Sequence, residues 1–275
     1  MSEKIFVTQP TLAPLVEVTE LLQGVWTSGV MTHNGPLVQR FERDFCAHEK
    51  IARMVAVTNG TLALQMAIRA LELKGEIITS PFSFIATISS IIWEGCTPVF
   101  ADIDPNTFNI DPANIEAAIT PRTVAIMPVH VFGNPCDIDA IDTIAKKHGL
   151  KVIYDAAHAV GSTYKGKPLL SYGDIAAPSF HATKMLNTAE GGGCIASNDE
   201  LHRRLQMIRF FGYNEQKDVE IDGFNGKMTE VHAAFGLANL KYLPAALADR
   251  RQKYALYKSI LSKRTDLRFR KIVGE

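Results

Sequence analysis

Short apolar runs alternate with segments whose apolar residues recur at helical spacing, and this alternation holds from about residue 38 onward. The strand-like runs fall at residues 54–57, 76–79, 97–101, 124–129 and 151–154. Helix-like segments at 36–46, 62–71, 84–93, 111–119 and 137–148 precede or separate them. Parallel strands need long crossovers, and those crossovers bury both sheet faces under helices. The pattern therefore predicts an α/β fold with a mainly parallel sheet.

From Ile175 the character changes. Residues 175–180 and 193–197 read as two further strands, joined by a loop that contains Ser179-Phe180-His181-Ala182-Thr183-Lys184 and Glu190-Gly191-Gly192-Gly193. Asn198-Asp199 caps a helix over 200–211, and the polar stretch 218–227 reads as an exposed loop. Helices follow over 228–243 and 245–262, divided near Pro244. There is no internal repeat and no low-complexity tract.

Composition excludes several function classes. The 275 residues carry 29 basic and 29 acidic side chains, so the net charge is zero and there is no footprint for nucleic acid or an anionic membrane. Apolar runs are broken well before bilayer length, and no signal-peptide core follows Met1-Ser2-Glu3-Lys4. Cys46, Cys96, Cys136 and Cys194 form no C-x-x-C pair, which favours isolated thiols in a reducing compartment. A cytoplasmic, metal-free enzyme is the expectation.

Two residues point to chemistry. Lys184 stands in the loop after a strand, and Asp155 closes the run Val152-Ile153-Tyr154. A lysine can form a Schiff base with an aldehyde cofactor, and a carboxylate can keep a pyridine nitrogen protonated. That combination points to pyridoxal 5'-phosphate. Burial beside Phe180 and Met185 would lower the amine's pKa toward the neutral nucleophile; without burial, Lys184 would be a solvated surface residue.

The supporting positions are individually weaker. In Thr58-Asn59-Gly60-Thr61 a strand gives way to a helix, whose free N–H groups suit a phosphate but equally an ordinary capped helix. The Ser179 hydroxyl could add to such a phosphate site. His158 could bond the ring hydroxyl or be a plain core or surface histidine. Phe84 could stack on a cofactor ring or pack into the core.

Taken together, these stretches resemble the DegT-type (DegT/DnrJ/StrS) sugar aminotransferase family, within the fold-type I class of pyridoxal-phosphate enzymes. The resemblance rests on Trp26-Thr27-Ser28-Gly29, Asn34-Gly35-Pro36, Thr58-Asn59-Gly60-Thr61-Leu62-Ala63-Leu64 and Phe84-Ile85-Ala86-Thr87. It continues through Asp102-Ile103-Asp104, Val129-His130-Val131-Phe132-Gly133, Asp155-Ala156-Ala157-His158-Ala159 and Ser179 to Lys184 with Glu190-Gly191-Gly192. Asn225-Gly226-Lys227-Met228-Thr229-Glu230 completes the ordered set.

The resemblance implies a seven-stranded-type, mainly parallel sheet with helices on both faces. Lys184 would carry the cofactor and shuttle the proton, Asp155 would face the pyridine nitrogen, and His158 would stand near the ring hydroxyl. Gly60 and Thr61 would hold the phosphate through backbone amides, with Ser179 adding its hydroxyl and Phe84 stacking on the ring. A residue of a partner subunit completes the phosphate site in this family; Asn225 is the expected one, ahead of Lys227. A homodimer with shared active sites follows.

The implied activity moves an amino group from glutamate to a keto group of a nucleotide-linked sugar for polysaccharide or glycoside biosynthesis, such as O-antigen. The stretch from His181 through Thr188 is most similar to members acting on dTDP-4-keto-6-deoxy sugars. Dehydratases of the family replace the lysine with histidine, so Lys184 argues against that activity. Family members are usually longer, so the expected organisation is an N-terminal arm and loop (1–35), a cofactor-binding large domain (36–243) and the start of a small C-terminal domain that is largely missing (244–275). The alternative is a truncated, catalytically impaired cofactor-binding or regulatory relative.

Overall fold

The computed structural model describes residues 8–274. Its elements run α1 (Leu15–Ser28), α2 (Pro36–Glu49), β1 (Val55–Val57), α3 (Gly60–Ala70), β2 (Glu76–Thr79), α4 (Ile85–Trp93), β3 (Thr97–Phe100), α5 (Pro112–Ala117) and β4 (Thr123–Met127). They continue with α6 (Ile138–His148), β5 (Lys151–Asp155), β6 (Thr163–Tyr164), β7 (Lys167–Pro168), β8 (Ile175–Ala177), β9 (Gly192–Ala196), α7 (Asp199–Arg209), α8 (Glu230–Leu240) and α9 (Leu243–Leu261).

A seven-stranded sheet in the order β1-β9-β8-β5-β4-β2-β3 forms the centre. The pairs β2/β3, β2/β4, β4/β5 and β5/β8 are parallel, whereas β9 runs antiparallel to both β8 and β1. The sheet is thus mostly parallel, with one reversed strand. The reversal has a covalent cause: β8 and β9 are joined by the lysine loop, which never crosses over the sheet, so β9 returns beside β8.

Successive strand residues feed two separate cores, as the two-residue period of a strand requires. Ile78, Ile126, Tyr154 and Ala176 enter one cluster with Phe41 and Phe45 of α2, Ile141 of α6 and Leu237 of α8. Ile77, Ala125, Ile153 and Ile175 enter the other, with Leu64 and Ile68 of α3 and Leu205 of α7. Helices therefore cover both faces.

Helix starts follow local chemistry. Asn59, Asp111, Asp137, Asn198 and Thr229 each accept a backbone N–H from the first turn of the helix they cap. Helix α2 lacks such a cap. Its free amides at Leu37 and Val38 donate instead to the buried carboxylate of Glu230, at 2.8 and 2.9 Å.

Several elements differ from the sequence-based expectation. Within the stretch expected as an arm and loop, Leu15–Ser28 is a helix that buries only Val18 and Val25, leaving Leu15, Val16 and Trp26 exposed. Apolar residues on both its faces blur the helical period. The strand expected to reach Phe180 ends at Ala177, because Pro178 has no N–H to give the ladder. The helix expected from Met228 starts at Glu230, after its Thr229 cap. The two-residue strands β6 and β7 turn through Lys165 and Gly166, both at positive φ, and are too short to show a period.

Candidate active site

Strands β2, β4, β5 and β8 run in one direction, and β1 shares it through two antiparallel steps. The loops after β1, β2, β5 and β8 therefore open on one sheet edge, where open α/β sheets bind ligands. A cavity of about 380 Å3 lies there. Its wall includes Gly60, Thr61, Phe84, Asp155, His158, Ser179 and Lys184.

Asp155 is buried and its carboxylate is held twice. Thr87 donates its hydroxyl to Oδ2 at 2.6 Å, and the Ala157 amide donates to Oδ1 at 3.1 Å. Thr87 lies in the first turn of α4, buried against the sheet, and its hydroxyl also lies 2.6 Å from that of Ser83. The sequence reading quoted Thr87 but gave it no role. Its position one turn after Phe84 on an inward helix face was the available signal.

Lys184 Nζ lies 2.9 Å from His158 Nε2. A protonated amine has only donors, so a neutral His158 ring accepts from it. Burial pulls the Lys184 pKa below the ordinary 10.5, against the opposing pull of the Asp155 charge. Burial, then the neighbouring Lys184 charge, lowers the His158 pKa below 6.5. The Phe132 ring stacks on His158 with centroids 6.2 Å apart and planes 8° from parallel. On Phe132 the Arg270 guanidinium lies 5.4 Å from the ring centre.

Gly60 opens α3 facing Ser179. A Cβ built there would stand 2.9 Å from the Ser179 Cβ, so the glycine permits the close approach of these two loops. The resulting cradle has a helix N-terminus on one side and a hydroxyl on the other, which suits a phosphate. Phe84 caps the start of α4 at the cavity mouth and is 78% exposed, neither stacked nor packed into the core.

Asn225 does not line this cavity. Its residue pairs with Phe210 across an isolated bridge, and its side-chain oxygen accepts from Lys227 Nζ. Lys227 is buried, with its ammonium 4.9 and 4.6 Å from the ring centres of Phe210 and Phe211. It borders a separate hollow with His33 and Arg203. A larger groove of about 600 Å3 beside α3 and α7 is walled by the pairs Arg69–Glu94 and Arg204–Glu72 and holds none of the expected site residues.

The cavity fits the cofactor that the sequence points to. It has an amine, a fixed carboxylate and, between two strand ends, a cradle suited to a phosphate. Comparison with known proteins decides the family: residues 16–271 match the DegT/DnrJ/EryC1/StrS aminotransferase family. The chain belongs to it. It is 46% identical over 261 residues to a dTDP-4-amino-4,6-dideoxy-D-glucose transaminase of Shigella dysenteriae, covering 95% of this chain and 71% of that protein. It is 40% identical to a GDP-perosamine synthase of Caulobacter vibrioides, covering 90% of this chain and 66% of that protein. A crystal structure of DesI with its TDP-sugar product superposes with a TM-score of 0.91 at 37% identity, covering 97% of this chain and 67% of that one.

The fold is that of the fold-type I sugar aminotransferases, and members of this class generally use pyridoxal phosphate. Among the described residues no helix is long and apolar enough to cross a membrane.

Proposed function

We propose that this chain is a pyridoxal-phosphate-dependent transaminase. It takes an amino group from glutamate and delivers it to the keto group of a nucleotide-linked sugar, a dTDP-4-keto-6-deoxy sugar being the best-supported class. The observation that carries this reading is the convergence of Lys184, Asp155, His158, Ser179, Gly60, Thr61 and Phe84 on one cavity from four separate loops. The sugar class rests on the dTDP-sugar transaminase among its relatives.

The cofactor supplies an aldehyde for the lysine and a ring able to accept electrons. The residues of the chain do the rest. Backbone amides at Gly60 and Thr61 and the Ser179 hydroxyl would hold the phosphate. Asp155, clamped by Thr87 and Ala157, would present its carboxylate to the ring nitrogen. His158 would bond the ring hydroxyl, and Phe84, exposed at the cavity mouth, would cover the ring face. Lys184, with its pKa lowered by burial, has more neutral amine near neutral pH than a free lysine, so it would serve as the nucleophile for the aldehyde and as the group that moves the proton at the substrate carbon.

The working unit is a homodimer, in which Asn225 of each subunit completes the other's phosphate site. Two features support this. Asn225 lies away from its own subunit's cavity, and a band of exposed apolar side chains that includes Phe84, Ile85, Ile92 and Trp93 begins at the cavity mouth. Residues 36–243 form the cofactor-binding part in this reading, and α9 opens a further C-terminal part.

The test is spectroscopic. Purified protein with pyridoxal phosphate should absorb in the visible, and glutamate should convert that band to the shorter-wavelength aminated form. A folded protein that binds the cofactor but is spectrally unmoved by glutamate would refute the transaminase reading.

A further inference from the structure

We propose that Arg250 anchors a carboxylate of the amino donor, in a small cavity beside Lys184 that adjoins the cofactor cavity. The inference rests on the transaminase reading above.

The cavity has a volume of about 240 Å3 and shares His158, Ser179, Thr183 and Lys184 with the cofactor cavity. Phe132, Met185 and Arg250 close its other side. Its volume is below the roughly 300–1,000 Å3 of pockets that take drug-sized ligands. An amino acid suits it better than a nucleotide-linked sugar.

Helix α9 brings Arg250 there by its periodicity. Leu243 is buried, and Leu247 packs against the core one turn later. The helix comes close to the loop after β5, where a Cβ at Gly161 would stand 2.6 Å from Leu247 Cδ1. Arg250 follows Leu247 by three residues, on the same side of the helix, so the face that docks α9 also delivers a guanidinium to the cavity.

Among the described residues Arg250 has no ion-pair or hydrogen-bond partner. Its neighbours Asp249 and Lys253 pair with each other at 2.7 Å. No acid lines this cavity to compete for the guanidinium, and Asp155 is already held by Thr87 and Ala157. A planar fork of N–H donors without an anion, next to the reactive amine, matches a carboxylate in two parallel hydrogen bonds. Glutamate carries one carboxylate on its reacting carbon and a second a few bonds away. In a 4-keto sugar nucleotide the diphosphate lies across the sugar ring from the reacting carbon, so its charge falls farther from the lysine.

The test compares holoenzyme carrying Arg250→Gln, Arg250→Lys or Arg251→Gln with the unsubstituted protein. Spectral conversion is titrated with glutamate, and calorimetry measures binding of glutarate, an unreactive dicarboxylate. For Arg250→Gln both half-saturating concentrations should rise by about 10- to 100-fold, as for loss of a charged hydrogen-bonded pair. Arg250→Lys should lie between, and Arg251→Gln should match the unsubstituted protein. Return of the visible band on adding keto-sugar nucleotide should keep its half-saturation in every variant. Equal glutamate and glutarate curves for Arg250→Gln, or a defect confined to the sugar step, would overturn the assignment while leaving the transaminase reading intact. Unsubstituted protein inert to glutamate would instead remove that reading, and this inference with it.

Discussion

Replacing His130 with phenylalanine should remove a defined part of the protein's sensitivity to acid. His130 is wholly buried three residues past the end of β4, its ring stacked on Tyr154 with centroids 4.5 Å apart and planes 11° from parallel. Nδ1 accepts the Cys136 amide at 3.1 Å, which leaves the single ring proton on Nε2, a nitrogen without a partner among the described residues. A second proton would displace that amide and place a charge where burial denies it water. Burial accordingly pushes the pKa down from 6.5 to about 3.

The sign follows from linkage. Between these two values the unfolded chain carries a proton here that the folded chain refuses, so this contribution to stability is intact above pH 6.5 and declines as pH falls. The slope is about 1.4 kcal/mol per pH unit, so the fall from pH 6.5 to 4 costs about 3 kcal/mol. That is a large share of a typical stability of about 5–15 kcal/mol. Phenylalanine keeps the stack and cannot be protonated, but it deprives the Cys136 amide of its acceptor, at about 1–2 kcal/mol. Urea unfolding of the cofactor-free protein, at one protein concentration and between pH 7 and 4, should find His130→Phe less stable at pH 7 and as stable or more so at pH 4. Stability curves that stay parallel would refute the reasoning.

Other expectations bear on the site and its support. Thr87→Val leaves one oxygen of buried Asp155 without its donor, and cofactor affinity measured by absorbance titration should fall roughly 10-fold, with little change in fold by circular dichroism. Gly60→Ala should drive the new methyl into Ser179 and weaken cofactor binding by at least as much, while thermal unfolding of the cofactor-free protein shifts by only a few degrees. Glu230→Ala strips two α2 amides of their shared acceptor, and urea unfolding should record a loss of about 2–4 kcal/mol. Because burial lowers the Lys184 pKa and only the neutral amine attacks, stopped-flow rates of cofactor attachment should rise with pH around a midpoint below 10.5.

Much of the architecture was legible because its central strands are short and buried, and amphipathic helices separate them. Residues 76–79 form a strand with the expected bounds, and Asn198 caps its helix as read. The direction of β9 was not legible, since an apolar run reads the same whether it pairs parallel or antiparallel. Helix α1 was missed because Leu15, Val16 and Trp26 on its exposed side blur the helical period. At the site, Lys184 and Asp155 could be found because few chemistries need an amine and a carboxylate on neighbouring strand ends. Thr87, His130 and Arg250 could not. Each acquires its significance from a partner or a cavity that only tertiary packing creates, and a threonine on a helix or an arginine on a polar helix is unremarkable alone.

The most direct measurement reduces the cofactor-loaded protein with borohydride and locates the modified peptide by mass spectrometry. The account predicts a stable pyridoxyl adduct on Lys184, with no adduct and no visible absorbance in Lys184→Ala. An adduct on another lysine, or a cofactor retained with the same absorbance after that substitution, would contradict it.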